Sequence, residues 1–213
     1  MQEFEILFYD KPDGTEPVRE FLDSLDVKMR AKMLRTIQLL AVNGTELREP
    51  YSKPLEDGIF ELRAKVGSDI SRVLYFFVIG RRVILTNGFI KKAQRLRQAK
   101  KNWPNDTVWS TSVERSIEMT NFKEYLKEQM SDPAFKQEWD ALEPEFSIVQ
   151  ALIDARKESG LTQKQLSERT GIAQADISKL ESGNGNPSVK TLQRLAAGMG
   201  MRVKIEFQPV GNP

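Results

Sequence analysis

The sequence predicts an α+β domain followed by an all-α domain. Strand-like apolar runs and two amphipathic helical patterns share the first ninety or so residues, which is the pattern of an α+β domain. Helical spacing dominates after residue 119, with Gly and Pro at the breaks. At 213 residues the chain has ample material for one large or two small domains.

The first domain begins with a strand over residues 4–9, which the turn residues 10–14 end. Pro17 in a first turn predicts a short helix over residues 17–25. A longer helix follows over residues 27–42, and Asn43-Gly44 suits a left-handed cap. The residues predicted to face the core of this longer helix are Met29, Met33, Ile37, Leu40 and Ala41. Those predicted to face outward are Lys28, Arg30, Lys32 and Arg35.

Three strand segments follow. Residues 59–63 alternate apolar and charged side chains, residues 72–79 form a β-branched and aromatic run typical of a central strand, and residues 82–86 return. Turn residues at 66–69 and a tight hairpin at residues 80–81 separate them. An antiparallel sheet of this kind brings Glu61, Arg63, Arg72 and the 87–92 end onto one surface.

Charge is concentrated in the same stretch. Residues 51–101 hold twelve Lys and Arg against four acids, a net charge of +8, whereas the whole chain carries +2. A local basic excess inside a nearly neutral chain indicates a polyanion bound at one place. A solvated basic face is the alternative.

Three ordered blocks in this region resemble a known family: K-P-L-E-D-G-I-F-E-L-R, S-R-V-L-Y-F-F and N-G-F-I-K-K. They are similar to the RelE/HigB-like ribonuclease toxins, specifically the phage Gp49-like branch, over roughly residues 4–92. The resemblance implies a RelE-like fold, with two N-terminal helices on an antiparallel sheet. Where family members often have His, this chain has Asn87, and it contains no His at all.

The resemblance implies metal-free cleavage of mRNA, in association with the ribosome, by attack of a 2′-hydroxyl on its own 3′ phosphate. Arg72 then clamps the transition state, and Lys53 and Arg63 hold the phosphate. Glu61 either orients the arginines or acts as base. Lys91 and Lys92 are candidates for base, acid or backbone contacts. The residues expected to bind RNA are Phe89, Asn87 and Arg95, whereas Tyr75 is more typical of a core.

The composition excludes several kinds of site. Without Cys the chain has no disulfide and no thiolate, and without His it has no Ser-His or Cys-His nucleophile. No carboxylate cluster indicates a metal, and we expect no cofactor. No signal peptide and no 18-residue apolar run is present, so we expect a cytoplasmic protein without membrane contact.

Between the two domains, residues 102–118 have the composition of a linker or an irregular tail. Met119 is either an ordinary internal methionine or a second beginning, as in two adjacent genes joined in one chain. Residues 122–145 carry seven acids against three Lys and have amphipathic helical spacing. This acidic segment either partners or covers the basic stretch, or forms the outer face of a helix packed on the second domain.

The second domain contains a helix over residues 148–158, a capping box at Thr162-x-x-Gln165 and a turn at Gly171 before the next helix. The run L-T-Q-K-Q-L-S-E-R-T-G-I-A-Q-A-D-I-S-K-L-E-S-G-N-G-N-P-S resembles the Cro/repressor-like (XRE) helix-turn-helix family over about fifty residues. On that resemblance the residues that contact DNA are Gln163, Gln174, Ala175, Ser178 and Lys179.

Together the two resemblances predict a toxin and a HigA-like antitoxin in one chain, with an autorepressing antitoxin half. We expect the toxin domain at residues 1–101, the acidic antitoxin segment at 119–146 and the DNA-binding domain at 147–213. The expected partners are mRNA and the ribosome, operator DNA, and a toxin–antitoxin contact within or between chains. Residues 202–207 alternate as an exposed strand that pairs two copies, which predicts a homodimer through the antitoxin half. The alternative is a DNA-binding repressor whose RelE-like domain is catalytically idle and serves interaction.

Overall fold

The computed structural model of the chain describes residues 3–90, 119–183 and 185–207. It divides into two compact units, Met1–Pro144 and Glu145–Pro213. The predictions for Lys91, Lys92 and Arg95, and the proposed linker at 102–118, lie outside the described residues. Among the described helices, none is both long and apolar enough to cross a membrane.

The first unit contains a five-stranded sheet with the order β1-β5-β4-β3-β2. The strands are β1 (Glu5–Phe8), β2 (Ser52–Pro54), β3 (Ile59–Val66), β4 (Asp69–Val78) and β5 (Arg82–Ile90). β2 to β5 are antiparallel, whereas β1 pairs with β5 in parallel. The α+β class is confirmed, with a sheet that is mixed because the chain crosses over through two helices between β1 and the rest of the sheet.

The β4–β5 hairpin turns where the sequence predicted. Gly80 and Arg81 both have positive φ, 83° and 60°, within a three-residue loop, since Val78 pairs with Arg82. Further along the hairpin the register shifts between Leu74 and Tyr75, so that Leu74 pairs with Asn87 and Tyr75 with Leu85. Thr86 is therefore the additional residue of a β-bulge in β5.

Helices α1 (Pro17–Asp23) and α2 (Val27–Asn43) cover one face of the sheet. The side chain of Asp26 caps α2 by accepting from the Met29 amide at 2.9 Å. α1 packs so closely on β5 that a Cβ on Gly88 would lie 1.8 Å from the Phe21 ring. Gly88 thus marks the helix-covered face of β5.

Gly44 ends α2 with a positive φ of 53°, as the sequence predicted, but its ψ of −128° is not that of the left-handed helix region. The chain continues into a 3-10 turn at Gly44–Glu46. A Cβ on Gly44 would lie 2.0 Å from the Phe4 ring, so close packing adds a second reason for glycine here.

The acidic segment forms α3 (Phe122–Gln129) and α4 (Pro133–Ala141), both part of the first unit. Asn121 and Asp132 cap them by accepting from the Lys123 and Ala134 amides. α3 packs beside β1, and α4 lies along α2. Pro133 opens the second of the two helices, a position at which the missing proline N–H costs no helical hydrogen bond.

The solvent-facing side predicted for α2 is wrong at two positions. Lys32 and Arg35 are only 8% and 6% exposed. Sequence periodicity treats a charged side chain as outward-facing, but α4 covers this side of α2. Trp139 of α4 and Glu143, the first residue of the next helix, are partners for Arg35.

The second unit is all-α, as predicted, and is built from α5 (Glu143–Glu158), α6 (Gln163–Thr170), α7 (Gln174–Glu181) and α8 (Val189–Gly198). α5 begins five residues before the predicted start at 148. The capping box of Thr162 and Gln165 is present, and Gly171 ends α6 in the left-handed conformation. The core of this unit is formed by Leu152, Leu161, Leu166, Ile172, Ile177, Leu180, Leu195 and Met199.

Candidate nucleic-acid-binding sites

The strand register brings six of the predicted toxin-site residues onto one face of the sheet. Lys53 pairs with Glu61, Arg63 with Arg72, Arg72 with Phe89, and Leu74 with Asn87. Directly paired residues, and residues two apart along a strand, share a face. Since Gly88 faces α1, its neighbours Asn87 and Phe89 point away from the helices. We call this set the cationic sheet face: Lys53, Glu61, Arg63, Arg72, Asn87 and Phe89.

Glu61 is the centre of the cationic sheet face. Its carboxylate is 1% exposed, and both of its oxygens lie 2.6 Å from Nη1 of Arg72. Nε of Arg63 donates to the same carboxylate. A buried carboxylate needs such partners. With both oxygens engaged, this arrangement favours the orienting role for Glu61 over the role of base.

Arg72 is 6% exposed, and its Nε has no hydrogen-bond partner among the described residues. A buried donor without a partner is uncommon. One carboxylate between two guanidinium groups leaves a net positive charge, to which the exposed Lys53 adds another. The geometry is therefore suited to hold an oxyanion such as a phosphate.

The β-bulge lies directly beside Asn87. The Thr86 hydroxyl bonds both to the Leu74 carbonyl, at 3.2 Å, and to Oδ1 of Asn87, at 3.1 Å. Bulges often re-aim a side chain near a functional site. Asn87 is half-buried and has no titratable proton, so it can donate or accept a hydrogen bond here but not act as acid or base.

The two aromatic candidates differ in their surroundings. Phe89 is on the cationic sheet face but only 6% exposed, which leaves little ring surface for a stacked base. Tyr75 lies on the opposite face, is 1% exposed and bonds to the Ser52 hydroxyl at 2.6 Å. Burial raises the pKa of Tyr75 to about 12, partly offset by the Ser52 bond. Tyr75 is thus a core residue.

The acidic segment contacts the helices α1 and α2. Glu128 pairs with Arg19 at 2.6 Å, and Gln129 accepts from Arg30 at 3.1 Å. The acidic segment therefore neither covers the basic stretch at 51–101 through these contacts nor lies on the second domain, because the basic residues it engages belong to the helical layer of the first unit. The sequence signal that would have indicated it is the row of arginines along α1 and α2.

Arg35 and Trp139 form the anchor of α4. The guanidinium of Arg35 stacks 3.9 Å from the Trp139 ring centroid and donates to the Trp139 carbonyl at 3.0 Å. Glu143 lies 2.5 Å from the same guanidinium. Burial lowers the pKa of Arg35, and the charge of Glu143 opposes that shift.

At the start of α3, Tyr125 is 1% exposed, packs edge-on against Phe8 and donates to Asp23 at 2.6 Å. Burial, and then the bond to Asp23, raise the pKa of Tyr125 above its usual value. Residues before α3 also extend the sheet edge, since Phe8 donates to the Thr120 carbonyl at 3.0 Å. Contacts made by α3 and by α4 therefore hold both helices of the acidic segment against the rest of the first unit.

In the second unit, α7 presents the predicted DNA contacts. Gln174, Ala175 and Lys179 are exposed and Ser178 is half-buried, while Ile177 faces the core. Lys179 pairs with Asp176 at 2.8 Å, an exposed contact that a phosphate or base edge can displace.

Gln163 has a partner that the sequence analysis missed. Its amide donates to Glu181 at 2.9 Å, and Glu181, 7% exposed, also accepts both Nε and Nη2 of Arg156 at 2.6 and 3.0 Å. Arg156 further donates to the Leu161 carbonyl at 3.1 Å. This network fixes α5, α6 and α7 to one another. A buried acid at the end of an amphipathic helix gives no sequence signal that separates it from a solvated one.

Within residues 3–90, 119–183 and 185–207, no group of three or more carboxylates is arranged to hold a metal ion. The chemistry available on the cationic sheet face is that of arginine, lysine, a carboxylate and an amide.

Comparison with known families agrees with this division. Residues 20–105 match the family model described as Phage derived protein Gp49-like, and residues 152–204 match the model described as Helix-turn-helix. The first match contains the cationic sheet face, and the second contains α6 and α7.

Three curated relatives illustrate the similarity. An uncharacterized HTH-type transcriptional regulator of Haemophilus influenzae is 36% identical over 59 residues, 28% of this chain and 60% of the relative. Antitoxin HigA1 of Mycobacterium tuberculosis is 33% identical over 85 residues, 39% of this chain and 57% of the relative. An HTH-type transcriptional regulator of Sinorhizobium fredii is 46% identical over 46 residues, 22% of this chain and 60% of the relative.

The chain thus spans about three fifths of the length of these curated relatives. The two family matches lie in different units of the structure. A Gp49-like toxin-type domain and a helix-turn-helix domain of the XRE type are therefore joined in this one chain.

Proposed function

We propose that this chain is a toxin–antitoxin pair in which the first unit cleaves mRNA and the second binds operator DNA and represses its own transcription. The main support for the nuclease activity is the cationic sheet face, where Arg63 and Arg72 share the buried carboxylate of Glu61. The helix-turn-helix match carries the DNA-binding half.

In the proposed cleavage, an RNA 2′-hydroxyl attacks the adjacent phosphorus in line and the 5′ oxygen of the next nucleotide leaves. Arg72, held by Glu61, stabilises the charge that develops on the phosphate oxygens. Arg63 and Lys53 hold the phosphate. We assign proton transfer to Lys91 and Lys92, which follow β5 directly in the chain, and RNA contact to Asn87, Phe89 and Arg95.

On DNA, we propose that α7 enters the major groove. Gln174 pairs with adenine, Ala175 meets a thymine methyl, and Lys179 reaches guanine or phosphate, with Ser178 and Gln163 beside them. The second unit lacks a strongly basic balance, so we propose a dimer that engages two half-sites about 34 Å apart.

For neutralisation, we propose that residues 119–144 restrain the toxin by binding α1 and α2. Three arginines of that layer, Arg19, Arg30 and Arg35, have partners in the acidic segment. A ribosome-associated toxin needs cationic surface for ribosomal RNA, and this segment occupies such surface. The proposed setting is the cytoplasm, where mRNA and operator are both present.

A second candidate is a DNA-binding repressor whose Gp49-like domain is catalytically idle and serves interaction. Asn87 favours it, since an amide at this position of the cationic sheet face cannot transfer a proton. Both proposals include operator binding, but only the first includes RNA cleavage.

The experiment that separates them expresses residues 1–118 with and without residues 119–213 from a second gene, and follows growth and mRNA integrity. The toxin proposal expects residues 1–118 alone to arrest growth and degrade mRNA, and the second gene to reverse both. Arg72→Ala is the matched inactive variant. Soluble, folded protein that leaves growth and mRNA unchanged contradicts the toxin proposal and favours the repressor.

A further inference from the structure

Helix α7, which presents the predicted DNA contacts, also exposes an acid. Of its two carboxylates, Glu181 is buried and Asp176, in the first turn, is exposed. The phosphates of DNA repel a carboxylate on a surface that approaches them. An exposed acid in this helix therefore opposes DNA binding, unless a group on the DNA meets it.

The position of Asp176 near the helix start explains only part of its surroundings. A carboxylate in the first turn interacts favourably with the helix dipole, and this effect needs no lysine. Oδ1 of Asp176 nevertheless lies 2.8 Å from Nζ of Lys179, and the two side chains are 56% and 62% exposed. The exposed surface of α7 thus presents an ammonium and a carboxylate side by side, which we call the Asp176–Lys179 pair.

The Asp176–Lys179 pair is poorly suited to a phosphate contact. If Nζ of Lys179 bound a phosphate oxygen, the carboxylate 2.8 Å from it would lie against the same negative backbone. Base edges differ from the backbone, because they present donors next to acceptors. Of the two contacts open to Lys179, guanine or phosphate, the charge of the pair favours guanine.

The pair matches the major-groove edge of a G·C base pair. Guanine presents the acceptors N7 and O6 there, and cytosine presents the donor N4 beside O6. O6 and N4 are about 2.9 Å apart, because a Watson–Crick hydrogen bond joins them. The ammonium and the carboxylate are separated by a similar 2.8 Å. One ion pair can therefore meet one acceptor and one donor of the same base pair.

We propose that Asp176 is a specificity-determining residue, which reads one G·C base pair of the DNA site together with Lys179. Asp176 accepts from N4 of cytosine, and Lys179 donates to O6 and N7 of guanine. A·T pairs fit less well, because neither base offers two acceptors to the ammonium and the thymine methyl lies beside O4. The inference rests on the DNA-binding half of the proposed function and is independent of the nuclease half.

Selection by the full chain from a pool of DNA duplexes with a randomised centre tests the assignment. We expect the natural chain to enrich sites with a strongly preferred G·C pair at one position. Asp176→Ala removes the acceptor and should lower that preference about tenfold, leaving the other positions unchanged. The same variant should bind random duplex more tightly, since a repulsion with the phosphates is gone. A purely structural role of Asp176 predicts no such opposite changes.

Two further variants accompany the selection. Asp154→Ala is the matched control, because Asp154 is an exposed acid on α5 of the same unit, and it should leave the preference unchanged at every position. Lys179→Gln should weaken the same G·C position as Asp176→Ala. The double variant should lower the preference by less than the product of the two single effects, because the two side chains hold each other in place.

Three results overturn the proposal: a selected site without a preferred G·C pair, an unchanged preference in Asp176→Ala, or an equal loss of affinity at all positions. The second means that Asp176 only supports the start of α7, and the third that it only holds the fold. Enrichment of no sequence by the natural chain contradicts the DNA-binding proposal itself, and this inference with it. A loss confined to one G·C position, with tighter binding of random duplex, supports the assignment.

Discussion

Glu61 is 1% exposed between two guanidinium groups, so its charge governs both the stability and the chemistry of the cationic sheet face. A buried carboxylate without its arginine partners has an uncompensated charge. The same is true of buried arginines without their carboxylate. On the proposed function, the same contacts hold Arg72 in place for a phosphate. Stability and the proposed function thus depend on one residue here.

Replacing Glu61 with Gln keeps the shape and removes the charge. We expect the free energy of unfolding to fall by about 3 kcal/mol, because Arg72 stays buried without a counter-charge. Urea denaturation measures it. Asp69→Asn, an exposed acid at the start of β4, is the control and should change stability by less than about 0.5 kcal/mol. If the two substitutions lower the free energy of unfolding equally, the Glu61 charge does not stabilise the fold more than an exposed charge does.

Tyr75 makes the stability depend on alkaline pH. Its pKa is raised to about 12 in the folded chain and is about 10 when unfolded, so the neutral form is favoured by folding. The contribution is fully present below pH 10 and is lost as the pH rises towards 12. Ultraviolet titration of the tyrosinate band should show a late-titrating group that Tyr75→Phe removes. A Tyr75 that titrates near pH 10 contradicts the burial argument.

At the scale of elements, local patterns predicted most boundaries. Features that depend only on residues close together in the sequence are indicated by the sequence alone. They include the hairpin at Gly80-Arg81, the capping box at Thr162 and the helix start at Pro133. The strand β2 is only three residues long and has no periodicity to detect. The parallel pairing of β1 with β5 is a contact between distant residues, which no local pattern contains.

The acidic segment shows the same limit. Its two helices were predictable, but their position on α1 and α2 was not, because it depends on which cations the folded helices bring together. Arg35 illustrates this: periodicity placed it in solvent, and Trp139 covers it. For the cationic sheet face, by contrast, alternation within each strand sufficed to group Glu61, Arg63 and Arg72.

Trp139 should be the strongest single contact of α4. Trp139→Ala removes a buried indole and the face on which Arg35 stacks, so we expect a loss of about 3–5 kcal/mol in the free energy of unfolding. Lys136→Ala on the same helix has an exposed side chain and should change it by less than about 0.5 kcal/mol. Chemical denaturation of the full chain compares them. A small effect of Trp139→Ala would mean that α4 is held by other contacts.

At the scale of the whole molecule, the proposed function assigns two kinds of nucleic-acid chemistry to the two units. The first gathers cations around a buried carboxylate, and the second presents the exposed polar residues of α7. On the proposed function, the acidic segment belongs in sequence to the antitoxin half but lies in the first unit, as expected of a segment that neutralises it. If the proposal holds, this arrangement explains how one chain can contain both a nuclease and the segment that restrains it.

The most direct test of the central claim is the end chemistry of RNA after induction of residues 1–118. In-line attack by a 2′-hydroxyl predicts fragments with 5′-hydroxyl and 2′,3′-cyclic phosphate ends, and Arg72→Ala should abolish them. Intact RNA in the presence of folded protein, or fragments with 5′-phosphate ends that persist in Arg72→Ala, would contradict the account.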